Sequence, residues 1–244
     1  MPPKKPRPKP SLETAQLRSE LRVALDTIYP SSNRSVGSFT CGVYAFFDYD
    51  AEPIYVGQTF EGLSSRIGRH LINQRTDAVA MSVLDPFEVC FVELYPLAAY
   101  DGVKRKHASF PEAKSHLNQL ELAVFERCIA NSKFGAILNE KNPALVAISE
   151  AIPDPVRACI VSNEVRQIRG HPDVRIARRA QTIARLAQVI SERQVNVGLR
   201  QTLVTQAVRL EYLAREQLAA WGGKAAVPTK APEDVEEDEQ SPKE

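Results

Sequence analysis

Apolar side chains recur along this chain at two spacings, and the switch between them marks its elements. From Ser11, a natural helix cap, "SLETAQLRSELRVALDTIY" sets Leu12, Leu17, Leu21, Val23, Leu25 and Ile28 in a broad helical stripe. A proline and a Ser/Asn/Gly-rich stretch follow. Two short runs, "CGVYAFF" and "EPIYVGQ", are dense in valine, tyrosine, isoleucine and phenylalanine, with the turn residues of "DYDAEP" between them, which predicts a β-hairpin. "LSSRIGRHLINQ" returns to helical spacing at Leu63, Ile67 and Leu71. After Pro86, "FEVCFVELY" predicts a third strand. "FPEAKSHLNQLELAVFERCIANS" carries proline in its first turn and lines Leu117, Leu120, Val124 and Ile129 along one helix face; the short apolar "AILN" closes the unit. The expected fold is α+β, a small three-stranded antiparallel sheet flanked by helices, spanning roughly 110 residues.

Beyond it the spacing changes again. From about Asp154 to Trp221 glycines are few, and Val174, Ile183, Leu186 and Ile190 form one helical stripe. Leu199, Leu203, Leu210 and Leu213 form another, which predicts an α-helical extension folded as a hairpin broken near Gly198. The predicted organisation is an arm over 1–10, a helix and linker over 11–36, a catalytic-sized unit over 37–145, a helical region over 150–222 and a tail over 223–244.

The charge distribution adds to this more than the net charge of +1. "MPPKKPRPKP" has four positive charges and five prolines, so it reads as an extended arm, either solubilising or touching phosphate. "APEDVEEDEQSPKE" has seven acidic residues against one lysine and nothing apolar enough to pack. With the arm at +4 and the tail at −6, the stretch between them carries +3. No apolar run approaches the ~20 residues of a membrane span, and the basic arm has no apolar core behind it as a secretory signal would. The four cysteines Cys41, Cys90, Cys128 and Cys159 are far apart, without metal-site spacing, and are read as buried free thiols of a cytoplasmic protein.

Candidate chemistry concentrates in residues 41–71, "CGVYAFFDYDAEPIYVGQTFEGLSSRIGRHL". Tyr44 and Tyr55 each sit in a tripeptide with glycine, Gly42-Val43-Tyr44 and Tyr55-Val56-Gly57. The helix after them carries Arg66 and His70 one turn apart. Taken singly these are a pair of strand tyrosines and a solvated helix face. Taken in order they resemble the GIY-YIG nuclease superfamily, in which the two tripeptides are followed by an L-x-x-R-x-x-x-H helix, a glutamate on a later helix and then an asparagine. Here "LNQLELAVF" offers Glu121 and "AILNEK" offers Asn139, so the resemblance covers about residues 38–142. In the family pattern the glutamate precedes the asparagine by about a dozen positions. Glu121 lies 18 before Asn139, and Glu126 lies 13 before it. Five residues apart, the two acids point about 140° apart on a helix and cannot share one role. Glu121 is the preferred candidate, with an insertion at "NSKFGA" taking up the difference.

The resemblance implies a metal-dependent endonuclease acting on double-stranded DNA, with restriction or defence as the preferred setting and a repair nickase or an inactive DNA-binding module as alternatives. The residue chemistry agrees with hydrolysis. A carboxylate such as Glu121 can hold Mg²⁺ (or Mn²⁺), which polarises a phosphate and stabilises a departing oxygen. Arg66 offers a bidentate fork for phosphate oxygens. The family assigns the general base to the first-tripeptide tyrosine, here Tyr44, whose ordinary pKa near ~10 requires help from a cation. Tyr55 and His70 would hydrogen-bond nucleophile, phosphate or Tyr44, and Asn139 would orient a ligand or pack the site. Further substrate contacts are sought at Arg69, at Arg75 beside Asp77, and at Arg178 and Arg185. These last two belong with Arg175, Arg179 and Arg193 to one arc of about 120°, which suits either phosphate contact or packing and dimerisation. One such site nicks one strand at a time; a double cut needs a homodimer or two encounters.

Overall fold

The computed structural model describes residues 10–30, 32–72, 83–149 and 151–224. Arg75 and Asp77, most of the basic arm and most of the acidic tail lie outside the described residues. Helix α1 (Leu12–Asp26) starts where the Ser11 hydroxyl accepts from the Thr14 amide at 3.4 Å. Its buried face is Leu17, Leu21, Ala24 and Leu25, while Leu12, Val23 and Ile28 are exposed. The predicted stripe was too broad: Val23 follows Leu21 by two positions and turns about 200° from it, and Ile28 lies past the helix end.

The hairpin forms as β1 (Gly42–Phe47) and β2 (Pro53–Thr59), antiparallel, with Tyr44 opposite Gly57 and Phe46 opposite Tyr55. Pairing shifts between Phe46 and Phe47, so Phe47 faces Pro53 and Ile54 is the extra residue of a bulge. In the connecting turn Asp48 Oδ1 accepts from the amides of Asp50 at 2.9 Å and Glu52 at 3.1 Å, and Ala51 takes the left-handed backbone with φ 58°. Helix α2 is Leu63–Leu71. The third strand, β3 (Phe91–Pro96), begins later than its apolar run. Asp85 accepts from the Phe87 amide at 3.0 Å and, with Pro86, holds residues 86–88 in a 3-10 turn instead. Helix α3 is Phe110–Asn131.

Among the described residues the sheet has four strands, not the expected three, in the order β2-β1-β3-β4, all antiparallel. The fourth, β4 (Val156–Cys159), comes from the start of the region expected to be dominated by helix. Pro153 and Pro155 prevent a helix there, and the segment pairs with β3 from Phe91–Cys159 to Leu94–Val156. Alternation along the strands divides the core between the two faces. Tyr44, Phe46, Val92, Leu94 and Val156 pack with α1, α2 and the C-terminal helices. Val43, Ala45, Phe47, Val56 and Tyr95 pack against Ala113, Leu117, Leu120 and Val124 of α3.

After α4 (Asn163–Arg169) come the two helices of the expected hairpin, α5 (Pro172–Glu192) and α6 (Val197–Ala220). The break is at 193–196, where Asn196 caps α6 by accepting from the Leu199 amide at 3.0 Å. Gly198 is inside the first turn of α6; a Cβ there would collide with the Glu140 carbonyl, so glycine serves close packing and not the break. The hairpin is riveted to the β1–β2 turn by buried charge. Asp48, 2% exposed, meets Arg175 at 3.2 Å, Arg209 at 3.1 Å and Arg179 at 3.5 Å. Arg179 also donates to Glu88 at 2.7 Å, and Arg209 to the Pro53 carbonyl at 3.0 Å. Burial lowers the Arg209 pKa from its ordinary value even against the pull of Asp48. Cys41, Cys90 and Cys128 are buried free thiols as expected, but Cys159 is exposed. Among the described residues no helix is long and apolar enough to cross a membrane.

Candidate active site

Tyr44 and Tyr55 stand on adjacent strands and on the same face, their rings 6.3 Å apart and 27° from parallel. Helix α2 crosses that face because Leu63, Ile67 and Leu71 are sunk in the core. Its flank then brings Arg66 and His70 to the phenols. Arg66 Nε donates to Tyr44 Oη at 3.4 Å, and Tyr44 Oη lies 3.0 Å from His70 Nε2. A guanidinium only donates, so the Tyr44 oxygen accepts from Arg66, while the bond to His70 runs in the direction set by the imidazole tautomer: with the hydrogen on Nδ1, Nε2 accepts from the phenol. Gly57 makes room for this: a Cβ on it would overlap Tyr44 Oη. Arg69, one position before His70, turns away and pairs with Glu61.

Burial governs the ionisation of this cluster. Tyr44 is 0% exposed, and burial, with Tyr55 beside it, pushes its phenol well above the ordinary tyrosine range against the opposing pull of Arg66. Tyr55 is raised by burial too, again with Arg66 opposing. Burial, then the charges of Arg66 and Arg69, lower His70 to about 4. For Arg66 burial opposes the charge, yet Tyr44 and Tyr55 raise its pKa on balance. At neutral pH the cluster is two neutral phenols, a neutral imidazole and one guanidinium.

Glu121 approaches from the opposite face of the sheet, around β2. It is half-buried on α3 and accepts from Gln58 Nε2 at 2.5 Å, while Gln58 Oε1 accepts from Lys114 Nζ at 3.0 Å. Burial raises its pKa, opposed by Gln58, Lys114 and Arg66. Glu126 is exposed on the same helix, so the structure brings Glu121 and not Glu126 to the β2 edge. Asn139 reaches that edge as well, but both ends of its amide are taken by one residue: Oδ1 accepts from the Val56 amide at 3.0 Å and Nδ2 donates to the Val56 carbonyl at 2.8 Å. It imitates a neighbouring strand and holds β2 in place, the packing alternative of its two expected roles.

Gln58 and Lys114 were not singled out from sequence. The available signal was strand alternation, which puts Gln58 on the face of Val56, toward α3. Arg178 and Arg185 do not join the cluster. Arg178 makes a two-pronged pair with Asp85 at 2.8 Å on each prong and lies over Phe87, while Arg185 is exposed on α5. Arg175 and Arg179 face the buried acids of the hairpin turn. Within the arginine arc, packing therefore accounts for two members and a surface pair for a third.

Among the described residues no three His, Cys, Asp or Glu side chains gather to enclose an ion. A half-buried carboxylate still suits a hard cation. Mg²⁺ retains most of its waters and commonly uses only one or two carboxylates besides substrate oxygens, so Glu121 fits such an ion with one oxygen steadied by Gln58. The chain matches no family model, no curated protein and no solved structure.

Proposed function

We propose that this protein is a Mg²⁺- or Mn²⁺-dependent endonuclease that hydrolyses phosphodiester bonds in DNA through a GIY-YIG-type site. The observation that carries the reading is convergence: Tyr44, Tyr55, Arg66 and His70 meet on one sheet face, and Glu121 comes round the edge of β2 within electrostatic reach of Arg66 and Tyr44. Residues from four elements, singled out by the resemblance, gather around β2.

Glu121 would hold the divalent ion, which when bound would supply Lewis-acid polarisation of the phosphate and charge neutralisation at the departing oxygen. The chain's own residues do the rest. Arg66, the only permanent cation among the four clustered side chains, donates to the phosphate oxygens as charge grows on them. Tyr44 hands its hydrogen to neutral His70 while accepting one from the attacking water, so the phenol never has to exist as a free phenolate. Tyr55 orients the water or a phosphate oxygen. Asn139 and Gly57 set the position of β2 and of the Tyr44 ring. One site cuts one strand, and a double cut requires a second copy or a second encounter.

The burial of Tyr44 favours a second reading, a DNA-binding module of the same arrangement without cleavage. Incubating supercoiled plasmid with Mg²⁺ and sequencing the ends decides between them. Wild type is expected to nick, and Arg66→Ala and Glu121→Gln to lose at least ~10²-fold in rate. Equal inertness of wild type and Glu121→Gln, with salt-sensitive DNA affinity retained in both, favours the binding module.

A further inference from the structure

A groove of about 690 Å³ opens beside Arg66, between β2 and the loop that leads into α3. Its walls carry four cations, Arg66, Lys104, Arg105 and Lys114, and the aromatic pair Phe60 and Phe110, whose rings are 5.1 Å apart. Glu61, the acid on its rim, pairs with Arg69. None of the four cations makes an ion pair with any described residue. The arginines of the C-terminal hairpin contrast with this: Arg175, Arg179 and Arg209 are each buried against carboxylates.

The loop bearing Lys104 and Arg105 is anchored at its base. Asp101 Oδ1 accepts from the Thr40 amide at 2.8 Å and from its hydroxyl at 2.9 Å. Asp101 Oδ2 accepts from Arg34 at 2.6 Å, and the Gly102 amide donates to Thr40 Oγ1 at 2.7 Å. Gly102 permits the turn with φ 77°. At the far end the His107 amide donates to the Lys104 carbonyl at 2.8 Å. The two basic side chains are thus presented from a fixed backbone toward the same opening as Arg66.

A lining of cations with an aromatic floor is how proteins hold unpaired nucleic acid: the charges follow the backbone and a base stacks on a ring, which a base kept in a duplex cannot do. We infer that this groove takes a single-stranded stretch of DNA adjoining the phosphate to be cut, its backbone on Lys104, Arg105 and Lys114 and one base against Phe60 and Phe110. The inference rests on the nuclease reading for the identity of the ligand, and it makes the preferred substrate a duplex opened beside the cut.

Binding measured in EDTA separates the two proposals. Fluorescence anisotropy would compare a labelled duplex carrying a single-stranded overhang with the blunt duplex of the same sequence. The overhang is expected to bind at least tenfold more tightly. Lys104→Ala combined with Arg105→Ala, both exposed loop positions, should weaken overhang binding and flatten the slope of log K against log salt by about 1.4, at ~0.7 for each single-strand phosphate contact. Arg200→Ala, which removes an exposed charge on α6, should leave both unchanged. Phe60→Leu should lower overhang affinity roughly fivefold or more and spare the blunt duplex. In the wild-type chain, an iodouracil placed in the overhang should crosslink on irradiation to Phe60 or Phe110, a readout that needs no variant to fold. Equal affinity for blunt and overhanging duplex, or crosslinks confined to other residues, overturns the groove assignment. Overhang preference without cleavage in Mg²⁺ instead overturns the nuclease reading and leaves the groove standing.

Discussion

A methyl group at position 57 would lie 2.6 Å from the Tyr44 ring carbon Cζ and closer still to its oxygen. Tyr44 is fully buried and cannot swing aside without displacing Phe46 or His70, its ring neighbours. Gly57→Ala is therefore expected to displace the phenol by about 1 Å and, on the proposed nuclease function, to cut turnover by roughly 10²-fold. A melting curve alongside the plasmid assay distinguishes this from simple unfolding. His70 offers a different handle. Its folded pKa of about 4 is below the ordinary value of 6.5, so between those pH values the unfolded chain binds more protons than the folded one. Stability should consequently be level above pH 6.5 and fall as pH drops toward 4. His70→Gln should flatten the melting temperature across that window; an unchanged slope would mean that His70 is not held neutral.

The β1–β2 turn shows what an element hides when read alone. "DYDAEP" was legible as a turn from its composition, and the hairpin, α2 and α3 follow from local spacing, whereas the clustered residues were singled out by the resemblance and not by spacing. Its second task was not legible. Asp48 and Glu52 are buried receptors for arginines more than 120 positions away, and nothing local distinguishes such acids from solvated turn residues. Strand β4 was missed for a related reason: four residues paired on one side carry too short an alternation to stand out between proline-bearing and helical stretches. Gln58 and Lys114 were missed because their role depends on how α3 lies across the sheet. The buried turn gives a direct prediction. Asp48→Ala leaves three guanidinium groups without their shared partner and should destabilise the fold by about 3–5 kcal/mol in a denaturant titration. A loss under ~1 kcal/mol would indicate that water already screens the cluster.

The helical extension was expected as a separate region, yet its first strand completes the sheet and its helices close over one face of the core. Cutting the chain after residue 149 would remove β4, bare the Leu94 side of β3 and strand Asp48 and Glu88 without counter-charges. The fragment 1–149 is thus expected to lack a cooperative melting transition, whereas 1–224 keeps one; calorimetry on the two chains checks this. The seam where Gly198 touches Glu140 has a consequence for engineering. Because Glu140 directly follows Asn139, the residue that fastens β2, any bulge forced into the start of α6 is relayed in a single peptide step to the strand carrying Tyr55. Grafting this hairpin onto another sheet unit, or a foreign one onto this, should disturb the Tyr44–Tyr55 cluster unless the acids of the receiving turn and the small residue at the seam travel with it.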